Sequence, residues 1–399
     1  MPVESMQRPP ADAIVFSSVD FDFLWQGQQE ITLRLAAGGS RVLFVENTAT
    51  RAPRVGDIGR IVKRLTRWSR GPVRRDGDAL AGITVYSPLV APYPYSPLSI
   101  LLDRLLFLQP LTRLAAGLRK PMIWTFLPTP TIVEAIEKLR RPDSVVVYYC
   151  VADFSELAGD RAAVERSERR LVENSDLVFV NGRQLQHRFA PLRSDVRVYP
   201  FGVDVSLFAR PPEDSEPSDI ACIARPRVGY IGGLHRHLAV DQLIAAAVNL
   251  PDTSFVLIGP AQIDVSRLEA LPNMHILGQR PHDLLPEYVH AFDVALIPYV
   301  TSAYTDSVVP TKLFEYLAVG VPVVSTGLPE VRALHVPEGA VRIAEDGPGF
   351  ITAIADAVAS PRTPARRDAT RAFVERYSWD RLFDSMEADV QGVRDRRRA

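Results

Sequence analysis

The segment VVPTKLFEYLAVGVPVVST, Val308 to Thr326, sets a lysine and a glutamate three residues apart, Lys312 and Glu315, just behind Pro310 and Thr311. Pro310 and Thr311 predict a helix start with Thr311 as N-cap, and Gly320 with Pro322 ends the helix before an apolar strand. Lys312 then lies in the first turn, where the helix dipole disfavours a cation unless an anion is nearby. Glu315 follows on the same face. The pair reads in two ways. It is a nucleotide site, with Lys312 and helix N–H groups on a diphosphate and Glu315 accepting from two ribose hydroxyls, or it is a solvated Lys/Glu pair. GYIGGLHRH, Gly229 to His237, is a second anion candidate. Gly232 and Gly233 follow an apolar strand and let backbone approach a ligand closely, and His235 and Arg236 add charge. Its ordinary reading is a tight turn.

A further chemical signal lies in the first half of the chain. Asp153, in VADFSEL after the apolar run Val145 to Cys150, falls at a strand's carboxyl end, where a carboxylate can act as general base on an acceptor hydroxyl; Glu156 stands behind it. The alternative is an aspartate that caps the following turn. Upstream, the loop SSVDFDFLWQGQQEITLRLA offers Asp22, Trp25 and Gln28 as polar and aromatic ligand contacts, acceptor contacts in what the resemblance given below implies. Trp25 reads equally as a sugar-stacking ring or as packing at the helix start.

These residues need a frame, and the hydrophobic pattern supplies one. Short apolar runs alternate with helical stretches: Ile14 to Ser17, Arg41 to Val45, Ile83 to Ser87, Met122 to Phe126, Val145 to Cys150 and Leu177 to Val180. Such runs predict a parallel sheet covered on both faces, hence an α/β, doubly wound lobe. The alternation pauses at PPEDSEPSD and resumes with Val228 to Ile231, Phe255 to Ile258, His275 to Leu277, Val294 to Ile297, Val321 to Ser325 and Val341 to Ile343. The expected division is a first lobe over 1–205, a linker over 206–224, a second lobe over 225–375, and a helix with a solvated basic tail over 376–399; the resemblance set out next makes the first lobe acceptor-binding and the second donor-binding. That last helix is placed to cross back to the first lobe. Two such lobes set a ligand in a cleft at the strands' carboxyl ends.

GYIGGL, FVLIGP (Phe255 to Pro260), LPNMHILGQRPHDLLPEYVHAFDVALIPY (Leu271 to Tyr299) and PTKLFEYLAVGVPVVST, in that order, resemble the donor-binding lobe of group 1 glycosyltransferases with the GT-B fold. The resemblance implies two Rossmann-like lobes facing a cleft and a nucleotide sugar, foremost a UDP-sugar, as donor. It puts Gly232 and Gly233 by the phosphates, Lys312 and Arg236 on the diphosphate, Glu315 on the ribose, and the base at the loop Gln279 to Pro281. Arg280, Tyr299, Ser307 and Thr311 belong to the same expected site. Many family members carry a second glutamate where this chain has Ser307, and Asp306 beside it can partly substitute. In this respect the chain resembles bacterial polysaccharide enzymes, including xanthan-type glucuronosyltransferases, and both donor sugar and anomeric outcome stay open. The implied activity is metal-independent and cofactor-free transfer of a hexosyl or glycuronosyl unit to a lipid-linked or glycan hydroxyl in bacterial polysaccharide or glycolipid synthesis. A nucleotide-sugar epimerase of the same fold and a catalytically degenerate scaffold are the alternatives.

Charge narrows the partners. The 399 residues carry 46 basic and 47 acidic side chains, yet 51–75 hold nine basic residues against Asp57 alone. On a helical wheel Ile61, Leu65 and Trp68 gather opposite Lys63, Arg64 and Arg67, as expected of a helix lying in an anionic membrane surface or of an ordinary amphipathic helix. Leucine-rich 98–118 either widens that surface or packs the core. A pI near 6.7 and a single tryptophan in the basic stretch argue against nucleic acid. Cys150 and Cys222, the only cysteines, sit in no CxxC or Cys/His cluster, so neither disulfide nor metal site is expected. No run of eighteen apolar residues occurs and Met1 to Pro10 lacks an apolar stretch. The expected location is therefore cytoplasmic, peripheral at the inner face of the cell membrane.

Overall fold

The computed structural model describes residues 11–23, 25–48, 58–75, 80–157, 160–210, 216–360 and 362–398, with the side chains of 58–63 outside that description. It divides into two units: Met1–Asn181 with Leu185–Tyr199 and Phe383–Ala399, and Gly182–Gln184 with Pro200–Leu382.

In the first unit the strands are β1 (Ala13–Phe16), β2 (Val42–Val45), β3 (Val73–Arg74), β4 (Ile83–Tyr86), β5 (Met122–Thr125), β6 (Val146–Cys150), β7 (Leu177–Val180) and β8 (Arg197–Val198). They form one sheet in the order β3-β4-β2-β1-β5-β6-β7-β8, parallel except for β3 against β4. AIVF, VLFV and VVYYC are buried at every position, which is why they read as unbroken apolar runs rather than alternating ones. β3 and β8 are two residues long and largely exposed, too short to leave a pattern in the sequence. The order reverses between β1 and β5, so loops after these strands flank a topological switch point.

Asp12 fixes this reversal. It is buried, and its carboxylate accepts from Arg41 Nε at 3.0 Å and from the Arg119 N–H at 2.6 Å, tying the entry of β1 to the residues before β2 and β5. Burial by itself would raise its pKa, but the Arg41 and Arg119 hydrogen bonds outweigh that and hold the carboxyl below its ordinary value.

The second unit contains β9 (Arg227–Ile231), β10 (Ser254–Ile258), β11 (Met274–Gly278), β12 (Val294–Ile297), β13 (Val323–Thr326) and β14 (Val341–Ala344). All pairings are parallel, in the order β11-β10-β9-β12-β13-β14. Counted along the chain this is 3-2-1-4-5-6, the doubly wound order, with its switch point between β9 and β12. Tyr230, Phe255, Leu257, Ile297, Phe314 and Tyr316 fill the core.

Two expectations change. The stretch expected as a linker contains the helices Val205–Ala209 and Ser218–Ala221, and Phe208, Ile220 and Ile223 are buried in the second unit's core; only 211–215 lie outside the described residues. Polar composition concealed those spaced anchors. The basic tail is not simply solvated either. The final helix, Trp379–Arg396, counts with the first unit from Phe383 onward, and there Arg397 pairs with Asp176 while Tyr199 Oη donates to Asp389 at 2.9 Å.

Asp12→Ala is expected to lower the unfolding free energy by about 2–3 kcal/mol at neutral pH, because charged and backbone donors lose a buried acceptor. Urea denaturation checks it. Since Asp12 is depressed in the folded state, its contribution is full above the unfolded carboxylate value of about 4 and fades as pH falls through the lower folded value, so the two proteins converge in acid.

Candidate functional site

At the switch point of the second unit, two strand ends meet back to back. Gly232, just past β9, has φ +132°, and Gly259, just past β10, has φ +150°. A Cβ on Gly259 would lie 2.0 Å from the Gly232 carbonyl oxygen, and one on Gly232 would lie 2.9 Å from Lys312 Cε. Both positions therefore favour glycine on conformation, and Gly259, which faces backbone, demands it on space as well. The turn is fastened by Gly232 N–H to Ile258 O at 2.8 Å and Leu234 N–H to Pro260 O at 3.0 Å. From below, Tyr230 Oη donates to Gly233 O at 3.1 Å and Tyr316 Oη accepts from Ile231 N–H at 2.9 Å.

Facing this turn is the start of the helix Thr311–Val319. Its ends match the reading, and Gly320 closes it in the left-handed conformation. The cap differs: Pro310 occupies the N-cap with no side-chain hydrogen bond, and Thr311 is the first helical residue. Proline's fixed φ suits the entry and its carbonyl accepts from Leu313 N–H at 3.0 Å, but its side chain gives the first N–H groups no acceptor. Lys312 Nζ donates to Tyr299 Oη at 2.5 Å and lies 5.2 Å and 5.1 Å from the ring centroids of Tyr230 and Tyr299. Among the described residues no carboxylate forms an ion pair with it. An ammonium held by aromatic faces and a neutral hydroxyl, at the positive end of a helix, is a half-made anion site.

His235 completes the wall, but not as a cation. Burial, then the nearby Lys312 and His237, lower its pKa to about 4, so it is neutral at physiological pH, contrary to its expected role as added charge. Its ring lies 5.6 Å from that of Tyr299, and His237 stacks on Tyr304 at 4.4 Å. Arg236 is exposed, with Nε donating to His237 Nε2 at 3.1 Å.

Glu315, on the same helix, approaches His282 Nε2 at 3.7 Å. His282 immediately follows the loop Gln279 to Pro281, so the expected ribose and base positions are adjacent. Arg280 is committed elsewhere: it pairs with Asp219 at 2.6 Å and donates to Tyr288 Oη at 3.0 Å. Ser307 is buried and donates to Tyr304 O at 2.9 Å, while Asp306 Oδ1 is buried without a hydrogen-bond partner among the described residues. Gly232, Gly233, Tyr299, Thr311 and Lys312 thus gather at one point, Glu315 adjoins the base loop, and Arg280 and Ser307 are turned to structural partners.

In the first unit Asp153 follows β6 and is nearly buried. Its Oδ1 accepts from Ser155 N–H at 3.0 Å and Ser155 Oγ at 2.5 Å, and its Oδ2 lies 3.5 Å from Arg188 Nε. It caps the next turn, and so meets the alternative reading as well as occupying the expected position. Arg188 also pairs with buried Glu168 at 2.5 Å, and Tyr148 Oη donates to Glu168 at 2.6 Å. Burial keeps the Glu168 carboxyl above its ordinary value despite Arg188. This chain of contacts was missed; Glu168 sits unmarked within the charge-rich helix Arg161–Asn174. Glu156 pairs with Arg161 at 2.6 Å.

The expected acceptor loop is assembled differently. Asp22 pairs with Arg75 at 2.6 Å, Trp25 Nε1 donates to Glu30 at 3.3 Å, and Gln28 is fully buried, accepting from Ser17 Oγ at 2.6 Å and Ser18 N–H at 2.7 Å. Gln28 therefore braces the loop after β1 instead of facing a ligand. In the helix Ile58–Ser69, Arg64 pairs with Asp20 at 3.1 Å and Arg67 with Asp20 and Glu46, so these cations hold the helix to its own unit rather than pointing to headgroups. Leu65 and Trp68 are exposed at 44% and 42%; the side chains of Ile61 and Lys63 lie outside the described residues. Gly259→Ala is expected to cost about 3 kcal/mol or more, measured by urea unfolding, since backbone must yield on both sides of the turn.

Residues 225–360 match the family described as Glycosyl transferases group 1. A putative teichuronic acid biosynthesis glycosyltransferase, TuaH, from Bacillus subtilis (strain 168) is 26% identical over 232 residues, 56% of this chain and 58% of that protein. The alignment therefore spans little more than half of that relative's length. Across nearly the whole chain, the sucrose-phosphate synthase of Thermosynechococcus elongatus superposes with TM-score 0.71 at 17% identity, covering 96% of this chain and 99% of that one. The Anabaena protein HepE, solved with UDP and glucose, gives 0.68 at 16% identity, covering 96% and 100%. With the 3-2-1-4-5-6 sheet and the lysine-facing glycine turn lying inside the matched region, residues 225–360 are a group 1 glycosyl transferase domain, carried by a chain with the two-lobe GT-B glycosyltransferase fold.

Proposed function

We propose that this chain transfers a sugar from a nucleoside diphosphate sugar, UDP-linked foremost, to a hydroxyl of a lipid-linked or glycan acceptor in bacterial polysaccharide or glycolipid synthesis. The observation that carries the reading is the Lys312 ammonium, without a carboxylate partner among the described residues and facing the Gly232 turn at the switch point of the donor lobe. The neighbours solved with UDP and the teichuronic acid relative support the donor and the setting. Lys312 and the uncapped N–H groups at Thr311 take the diphosphate, Glu315 the ribose hydroxyls, and the 279–281 backbone the base.

In this mechanism binding and leaving-group stabilisation come from one arrangement. As the glycosidic bond breaks, negative charge grows on the departing diphosphate, and Lys312 with the helix end stabilises it without a metal ion. Neutral His235 adds no competing charge and is available as a hydrogen-bond partner. The first lobe provides acceptor binding, with Asp153 accepting the hydroxyl proton if the anomeric centre inverts. The transferred unit is a hexose or a glycuronic acid, and the enzyme works peripherally at the cytoplasmic face of the membrane. A degenerate scaffold is the second reading, favoured by the engagement of both Asp153 oxygens.

Calorimetric titration with UDP, GDP, ADP and TDP in EDTA tests the donor. UDP is expected to bind, and Lys312→Ala to weaken it about tenfold to a hundredfold, the worth of one charge-assisted hydrogen bond. Absence of nucleotide binding, or an indifferent Lys312→Ala, overturns the reading. Asp153→Asn is expected to leave UDP affinity intact and to reduce UDP release from a UDP-hexose and UDP-glycuronate panel with polyprenyl-linked saccharides by about a hundredfold or more. Nucleotide binding with no turnover in the wild type identifies the scaffold.

A further inference from the structure

The first unit carries an apolar ridge that the nucleotide chemistry does not use. Leu98, Leu101, Leu102 and Leu105 are exposed at 65%, 55%, 43% and 61%. They belong to the helical run that begins at Pro97–Asp103 and continues through the π-helical turn Arg104–Leu108 into Gln109–Ala115. Their spacing of i, i+3, i+4, i+7 makes one stripe, while Ser99, Asp103, Phe107 and Leu111 face inward. The run is therefore anchored to its unit by one face and offers a second, fully apolar face to solvent. The anchor is specific: buried Asp103 accepts from Ala91 N–H at 2.7 Å and Thr131 Oγ1 at 2.9 Å. A lone exposed leucine needs no explanation, but four in one stripe do.

The surroundings select the occupant. Over residues 97–120 the only acidic side chain is Asp103, turned inward, against Arg104, Arg113, Arg119 and Lys120. Arg104 bonds Glu134 on the neighbouring helix at 2.8 Å, and Arg113 is exposed. Tyr93, 59% exposed on the loop leading into the ridge, provides an amphipathic ring of the kind that settles at a lipid–water boundary. Lys120 pairs with exposed Asp143 at 3.4 Å, which leaves exposed Arg113 and Arg119 as the cations that, with leucines to enter acyl chains and an aromatic ring at the boundary, are complementary to an anionic bilayer. No helix of the described residues is long and apolar enough to cross a membrane, so this contact lies along the surface.

We propose that the Leu98–Leu105 ridge is a membrane-insertion surface for anionic lipid. It deepens the peripheral-membrane part of the function proposed above and moves the principal contact from the helix Ile58–Ser69, whose Arg64 and Arg67 are internally paired, to a face that the basic stretch does not mark. The test is co-sedimentation of the full chain with vesicles of phosphatidylcholine alone and with one quarter phosphatidylglycerol, for wild type, L101Q/L105Q and W68A. Stronger binding to the anionic vesicles, weakened about tenfold or more in L101Q/L105Q with UDP affinity unchanged, is the expected result. Equal binding of wild type and L101Q/L105Q overturns the ridge, and a loss confined to W68A returns the contact to the other helix while leaving the membrane reading in place. Equal affinity for both vesicles overturns the anionic choice. If L101Q/L105Q instead turns a sedimenting dimer into a monomer with vesicle binding unaltered, the ridge is an interface between copies and the proposal fails.

Discussion

The second unit is organised around a cation that meets no counter-charge among the described residues. Lys312 enters the helix Thr311–Val319 at the end where the dipole is positive, rests against two tyrosine rings and donates to the hydroxyl of one. Such an ammonium gains most from an anion arriving beside it, and that requirement accounts for its neighbours. His235 is neutral, Gly232 has no side chain to stand in the way, and Pro310 leaves the first N–H groups uncapped by a side chain. A carboxylate placed here would satisfy the lysine and abolish the site.

The sheet order turns this local arrangement into a place in the fold. With β9 and β12 adjacent and their crossovers running in opposite directions, the loops after both strands separate and leave room at their carboxyl ends. Gly232 and Gly233 come from one of these loops and Tyr299 from the other, while Gly259 allows the β10 loop to pass directly behind. Glycine conformation, tyrosine packing and the lysine are then a single constraint. The first unit has the same reversal between β1 and β5, but there the loop after β1 is closed by Gln28, Ser17 and Ser18 and clamped through Asp20 to Arg64. Equivalent topologies thus carry different degrees of openness.

What the sequence made legible follows from locality. Twelve strands, most of them buried, appear as short apolar runs, and the helix with Lys312 and Glu315 is bounded by Pro310 and Gly320, whose backbone preferences act within a residue or two. What escaped depends on distance in sequence. That Gln28 would spend its amide on Ser17 and Ser18, Arg280 its guanidinium on Asp219, and Arg188 its charge on both Asp153 and Glu168 is decided by tertiary pairing. The helical wheel separated charge from apolar side chains between Arg60 and Arg70, but it could not show which face the unit would claim, and the unit claimed Arg64 and Arg67. The same limit leaves leucine-rich 98–118 open between surface and core, since leucines of a core and leucines of a surface have one periodicity.

The most direct measurement is the position of UDP in a crystal of this protein grown with the nucleotide and EDTA. The account predicts the diphosphate between Lys312 Nζ and the Gly232–Gly233 backbone, with the ribose hydroxyls on Glu315. A diphosphate bound elsewhere, with Lys312 still held only by Tyr299, would contradict it.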